Sequence, residues 1–102
     1  MEEGRKYDKD KNPLELLPVD ALEHVGWILQ HGAKKYEPRN WEKGMAWGRL
    51  YGAALRHLFA FWRHEDIDEE TELGHLAHAA CCILFLLSYQ LRSVGTDDRP
   101  SV

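Results

Sequence analysis

The chemistry-bearing residues of this chain crowd into one stretch: His57, His64, Glu65, Asp68, Glu70, Glu72, His75 and His78. Imidazole nitrogens and carboxylate oxygens are the donors that hold divalent cations. Oxygen ligands favour Mg²⁺ or Mn²⁺, and imidazoles admit Mn²⁺ or Zn²⁺. At helical spacing His57 and His64 share one side of a segment, and Glu72, His75 and His78 stand at successive i+3 steps of the next. Glu65, Asp68 and Glu70 lie between the two segments. The competing explanation is ordinary: helix–helix turns are often acidic, and a single His beside an apolar face is usually a hydrogen-bonded core residue. Six His in 102 residues, three of them facing one acidic turn, favour a metal-binding cluster over a wholly inert set. There is no His-Glu-x-x-His and no cysteine pair at metal-ligand spacing, so a structural zinc site is not expected.

A second group carries complementary chemistry. Lys34, Lys35 and Arg39 are positive, Tyr36 and Trp41 offer flat rings, and the Asn40 amide can pair with a base edge in two ways. A nucleotide needs those features, although a solvated loop with buried aromatics would look the same. Nucleophilic catalysis has little support, because no Ser, Thr or Cys sits in a strained glycine turn beside a His. A glycine-rich phosphate loop is also missing from the sequence.

Three helices are expected to position these residues. The first begins at Pro18 and Asp20, buries Leu22, Val25, Gly26 and Leu29, and should stop near Gly32, a residue suited to a left-handed cap. A long loop follows from His31 to Gly44. The second helix spans about Ala46 to Arg63, with Trp47, Leu50, Tyr51, Ala54, Leu55, Leu58 and Trp62 on one face. After the acidic turn His64–Glu70, Leu73, Leu76, Ala80, Ile83, Leu87 and Leu91 mark a third helix at heptad-like intervals. A turn this short requires the second and third helices to pack antiparallel, which carries His57 and His64 toward Glu72 and His75. Between Ala79 and Leu87 the third helix is apolar on every side, so it is expected to be surrounded by protein in a homodimer or homotetramer.

Composition narrows the class. With 44% hydrophobic residues, 29% charged residues and 102 residues in all, the chain fits one all-α domain over residues 1–102, with loose ends at 1–12 and 93–102. A formal charge of −4 supplies no general attraction to a nucleic-acid backbone, so no polynucleotide partner is expected. Adjacent Cys81 and Cys82 read as reduced core thiols. With no apolar leader and no apolar run long enough to span a bilayer, a cytoplasmic protein without a membrane partner is expected.

These residues resemble a known family, the dATP/dGTP diphosphohydrolases of phages and bacteria, relatives of the all-α MazG-like nucleotide pyrophosphohydrolases. The resemblance rests on Lys11, Leu17-Pro18, Ala21-Leu22, Gly32-Ala33-Lys34-Lys35-Tyr36, Asn40-Trp41 and Lys43-Gly44. It continues through Arg56-His57-Leu58, Glu65-Asp66-Ile67-Asp68-Glu69-Glu70 and His75-Leu76-Ala77-His78-Ala79. It implies an antiparallel helical bundle, MazG-like and oligomeric. The implied reaction is hydrolysis of dGTP or dATP to the monophosphate and pyrophosphate with Mg²⁺ or Mn²⁺. MazG-like enzymes carry Glu-x-x-Glu on one helix and Glu-x-x-Asp on the next. Here Glu72-Leu73-Gly74-His75 looks like the second motif with His for Asp, and the first motif is missing near Ala54 and His57.

The ligand shell implied by the resemblance therefore draws on His57, Glu65, Asp68, Glu72, His75 and His78, with Glu65 or Asp68 as the base. Lys11, Lys34, Lys35 and Arg56 would bind phosphate oxygens, and Tyr36, Asn40 and Trp41 would hold the base. Two other readings compete. A non-catalytic nucleotide-binding oligomer predicts binding without turnover. A protein–protein adaptor docking through the third helix predicts no effect of divalent metal.

Overall fold

Pro18, which has no N–H to leave unsatisfied, marks the entry to the first helix. In the computed structural model, which describes residues 10–102, α1 runs Val19–Lys35, α2 runs Trp47–Trp62 and α3 runs His75–Arg92. Short 3₁₀ turns occupy Leu14–Leu16 and Asn40–Lys43. No β-strand forms among the described residues, where extended pairing is limited to two isolated bridges, Ala46 with Thr96 and Ile67 with Gly74. The expected all-α class is observed.

The central helix is α3, which packs against both α2 and α1. Small residues, Ala54 on α2 and Ala79 on α3, let backbones approach, and Leu50, Val25 and Cys81 close the core. Tyr89 is the largest fully buried side chain. The outer side of α3 is left uncovered: Ile83 is 50% exposed and Leu91 77%.

Two expected boundaries move. α1 does not stop near Gly32 but runs on to Lys35, with the Tyr36 N–H donating to Gly32 O at 2.8 Å. Lys34 and Lys35 in its last turn favour that extension, because cations complement the negative end of the helix dipole. The loop expected from His31 therefore begins only after Lys35. α3 starts at His75 rather than before Leu73, because the chain ahead of it folds back on itself, with Glu72 at φ +61°.

The expectation of a loose tail over 93–102 is corrected across Val94–Asp98. Thr96 N–H donates to Met45 O (3.2 Å), Trp47 N–H to Thr96 O (2.9 Å), and the Trp47 indole N–H to Val94 O (2.9 Å). Gly44 and Gly95 both have positive φ, +90° and +81°, and a Cβ on Gly95 would collide with Met45 O. The expected loose segment at 1–12 lies mostly outside the described residues.

This strap supplies a missing helix cap. Ala46 offers α2 no side-chain cap, and the Asp98 carboxylate accepts the Gly48 N–H at 2.8 Å instead. Asp98→Ala should therefore destabilise the fold by about 1 kcal/mol, while Asp98→Asn, which keeps an acceptor, should lose less. Urea unfolding midpoints of the three proteins test this.

Candidate active site

His57 sits in the second half of α2. The chain leaves that helix at Arg63, reverses at His64, whose φ is +69°, and enters a tight turn. There Asp68 N–H donates to Leu73 O (2.8 Å), Glu72 N–H to Asp68 O (2.7 Å) and His75 N–H to Asp66 O (2.9 Å). Asp68 is the organiser of this turn. Its Oδ1 accepts the N–H groups of Glu70 (2.8 Å) and Thr71 (3.1 Å), as short acidic side chains in turns commonly do. Its Oδ2 faces His57 Nδ1 at 4.0 Å.

His75, the first residue of α3, places Nδ1 2.9 Å from His57 Nδ1. One turn on, His78 stacks on the His57 ring with centroids 4.5 Å apart and planes 8° from parallel. Among the described residues, His57, Asp68 and His75 each bring a donor atom within 4.8 Å of the other two. Two nitrogens bound to one ion at about 2.1 Å, roughly 90–110° apart, lie about 3.0–3.4 Å from each other. The observed 2.9 Å separation is within a few tenths of that, so the two nitrogens can share a small divalent cation, with the Asp68 oxygen 4.0 Å from one of them. Two nitrogens and one carboxylate oxygen suit Mn²⁺ better than Mg²⁺, which prefers oxygen throughout.

Burial depresses the His57 and His78 pKa values below the ordinary 6.5; beyond burial, the neighbouring imidazoles contribute and Asp68 opposes. Burial also acts on the Asp68 carboxyl, upward, but the backbone N–H groups of Thr71 and Glu70 and the two imidazoles outweigh it and hold Asp68 below 3.8. Near neutral pH His57 and His78 are thus neutral imidazoles beside the Asp68 carboxylate, the protonation states a metal ion requires.

A His whose folded pKa lies below its unfolded value takes up its proton more readily in the unfolded chain. The His57 and His78 contributions to stability are complete above pH 6.5 and are lost as pH falls through that value toward the depressed ones. The expected outcome is a decline in melting temperature below pH 6.5 that His57→Gln, a variant with no titrating group there, makes shallower; calorimetry across pH 5–8 measures it.

α1 reaches the same place from the other side. The charge of His31 is felt at His78, and Lys35 Nζ lies 3.9 Å from Glu70. Beyond His78, the next turns of α3 carry Cys81 and Phe85 into the wall of a cleft of about 720 Å³. Tyr36, Asn40 and Trp41 line that cleft with Ile28 and Leu29 of α1. Trp41 is committed to the wall: it stacks on Phe85 at 4.5 Å and 8°, its carbonyl accepts the Tyr89 hydroxyl, and the Arg92 guanidinium lies 5.1 Å over its ring.

The expected residues divide accordingly. His57, Asp68 and His75 come together, with His78 stacked beside them and its Nε2 engaged by Thr71 Oγ1 at 2.7 Å. Glu65 does not join; it is exposed and pairs with Arg63 at 3.6 Å. Glu72 is exposed, and His64 is exposed at the helix end. Among the cations, Arg56 precedes His57 and is felt by both His57 and Cys82, Lys35 pairs with Glu70, and Lys34 and Lys11 are exposed. Glu70 faces Lys35, and Glu69 is exposed. Both thiols are free, and burial pushes Cys81 up to about 12.

Two residues of the site escaped the sequence reading. His31 belongs to the segment expected as loop, although its spacing of four from Lys35 puts both on one helix face. Thr71 carried no signal, since one hydroxyl in a turn looks like solvation.

A protein of Salmonella phage PMBT28 bearing the name dATP/dGTP diphosphohydrolase is 36% identical over 96 residues, covering 94% of this chain and 33% of that protein. The chain thus spans about a third of the length of this relative. No solved structure matches. The family model described as "dATP/dGTP diphosphohydrolase, N-terminal" matches residues 1–99, and the chain belongs to that family.

Proposed function

We propose that this chain forms the active site of a metal-dependent hydrolase that converts dATP or dGTP to the monophosphate and pyrophosphate. The observation that carries this reading is the continuity along α3 from the His57–Asp68–His75 cluster, past His78, to the cleft wall at Cys81 and Phe85. One end of that path has the chemistry for a triphosphate and its cation, and the other has the ring-lined space for a base. The name of the phage relative supports the substrate class.

His57, Asp68 and His75 would hold Mn²⁺ or Mg²⁺, which when bound neutralises triphosphate charge and acidifies a water molecule. Lys35 and Arg56 flank the cluster from α1 and α2 and attract phosphate oxygens, with Lys34 and Lys11 adding positive charge outside it. Of the two carboxylates expected as base, Asp68 is at the cluster and Glu65 is not. The depressed pKa of Asp68 suits it to holding a cation, so the proton of the attacking water is better taken by a neutral imidazole. Tyr36 and Asn40 recognise the base across the cleft from the Trp41–Phe85 wall.

The reading includes a second copy of the chain. Ile83, Leu87 and Leu91 form a partly exposed apolar row on α3 that a MazG-like dimer or tetramer would cover.

The test is incubation of the purified chain with the eight common nucleoside triphosphates in Mn²⁺ and in Mg²⁺, with products separated by chromatography. Monophosphate and pyrophosphate from dATP or dGTP, faster in Mn²⁺ and abolished by chelator, are expected. A folded chain that turns over no nucleotide in either metal overturns the proposal, and nucleotide binding without turnover would then favour a non-catalytic module.

A further inference from the structure

Thr71 touches both halves of the histidine–carboxylate cluster without belonging to it. Its backbone N–H donates to Asp68 Oδ1 at 3.1 Å. Its hydroxyl oxygen accepts the Leu73 N–H at 3.3 Å and lies 2.7 Å from His78 Nε2. His78 in turn lies flat on His57, at 4.5 Å between centroids and 8° between planes. A ring held at one nitrogen has its rotation about the Cβ–Cγ bond restricted and its tautomer selected. A face-on neighbour restricted in this way limits the tilts open to His57, whose Nδ1 must keep its 2.9 Å separation from His75 Nδ1.

We propose that Thr71 is a positioning residue: its hydroxyl fixes the His78 ring, and the stacked His78 holds His57 at the angle that divalent-cation binding requires. This inference rests on the metal-dependent reading above. Its distinguishing feature is that the hydroxyl matters while the methyl group does not, because the contact to His78 is made by oxygen. The backbone contact to Asp68 survives any side-chain change, so the carboxylate stays in place when the hydroxyl is removed.

The experiment compares wild type, Thr71→Val and Thr71→Ser in two measurements. Mn²⁺ titration followed by electron paramagnetic resonance should show the dissociation constant rising about tenfold in Thr71→Val, the lower end of the effect of losing a hydrogen-bond partner of a metal-ligating His because Thr71 acts through the stacked His78, with Thr71→Ser close to wild type. Imidazole ¹⁵N shifts of the metal-free proteins should change for His78 and His57 in Thr71→Val and be restored in Thr71→Ser. A merely structural role would lower thermal stability in Thr71→Val and leave the Mn²⁺ midpoint of the folded protein unchanged, and that result overturns the proposal. Failure of Thr71→Ser to restore affinity overturns it equally. Absence of Mn²⁺ binding in wild type defeats the metal-dependent reading itself and with it the cation-binding role; the ¹⁵N shifts then still report whether Thr71 orders the two rings, and unchanged shifts show that it does not.

Discussion

His57→Ala should lower kcat/KM for dATP or dGTP on the order of 10³-fold, about 4 kcal/mol of transition-state stabilisation, and remove detectable Mn²⁺ binding. Among the described residues no other side chain meets so many members of the cluster. Its Nδ1 is 2.9 Å from His75 and 4.0 Å from Asp68, and its ring carries His78. Removing the imidazole leaves one nitrogen and one carboxylate, too few donors from this cluster to anchor a cation firmly against water. The fold should survive. His57 is half-buried rather than core, and loss of one ring–ring contact costs about 0.5–1.5 kcal/mol. Steady-state kinetics, Mn²⁺ titration and circular dichroism on the same preparation separate the outcomes. Wild-type turnover with wild-type Mn²⁺ affinity in His57→Ala would remove the cluster from the mechanism.

The features visible in the sequence were those written in local spacing. The i, i+3, i+4, i+7 period from Trp47 to Trp62 and the apolar run after His75 each define a helix without outside help. A turn as short as residues 63–74 then forces the pair antiparallel, so spacing alone carries His57 and His64 toward Glu72 and His75, of which the structure brings together His57 and His75 with Asp68. What spacing does not encode is where a helix begins inside a polar run. Glu72 looked like the first of three residues on a helical flank, but the Ile67–Gly74 bridge and the left-handed backbone at Glu72 delay α3 to His75. Glu65 was displaced by the same geometry, since the reversal at His64 points the chain away before Asp68 brings it back. The strap at Val94–Asp98 was invisible for another reason: a carboxylate capping a helix 50 residues away leaves no periodic trace. Thr71 meets Asp68 and His78 only through the way the turn closes, and His31 acts on His78 only through the packing of α1 beside it.

Trp41→Ala tests the other half of the site and should separate cleanly from His57→Ala. The Trp41 ring is stacked between structure and cleft: Phe85 lies parallel at 4.5 Å, Tyr89 at 6.1 Å, and the buried Tyr89 hydroxyl donates to the Trp41 carbonyl. Removing a large ring at such a position costs about 3 kcal/mol, the lower end for aromatic truncations because Trp41 is half-buried. Trp41→Phe keeps an aromatic face on Phe85 and should cost about 1 kcal/mol. Arg92 reinforces the assignment, lying over the Trp41 ring and 3.5 Å from Glu42, so it ties the 3₁₀ turn to the end of α3. With the wall gone, the cleft loses its shape for a base while the metal cluster keeps every donor. The expected signature is a KM raised on the order of tenfold with kcat and Mn²⁺ affinity little changed, measured below the lowered melting temperature of the variant. A fall in kcat at unchanged KM would mean that Trp41 serves the reacting phosphates, and the base would then have to be sought outside the cleft.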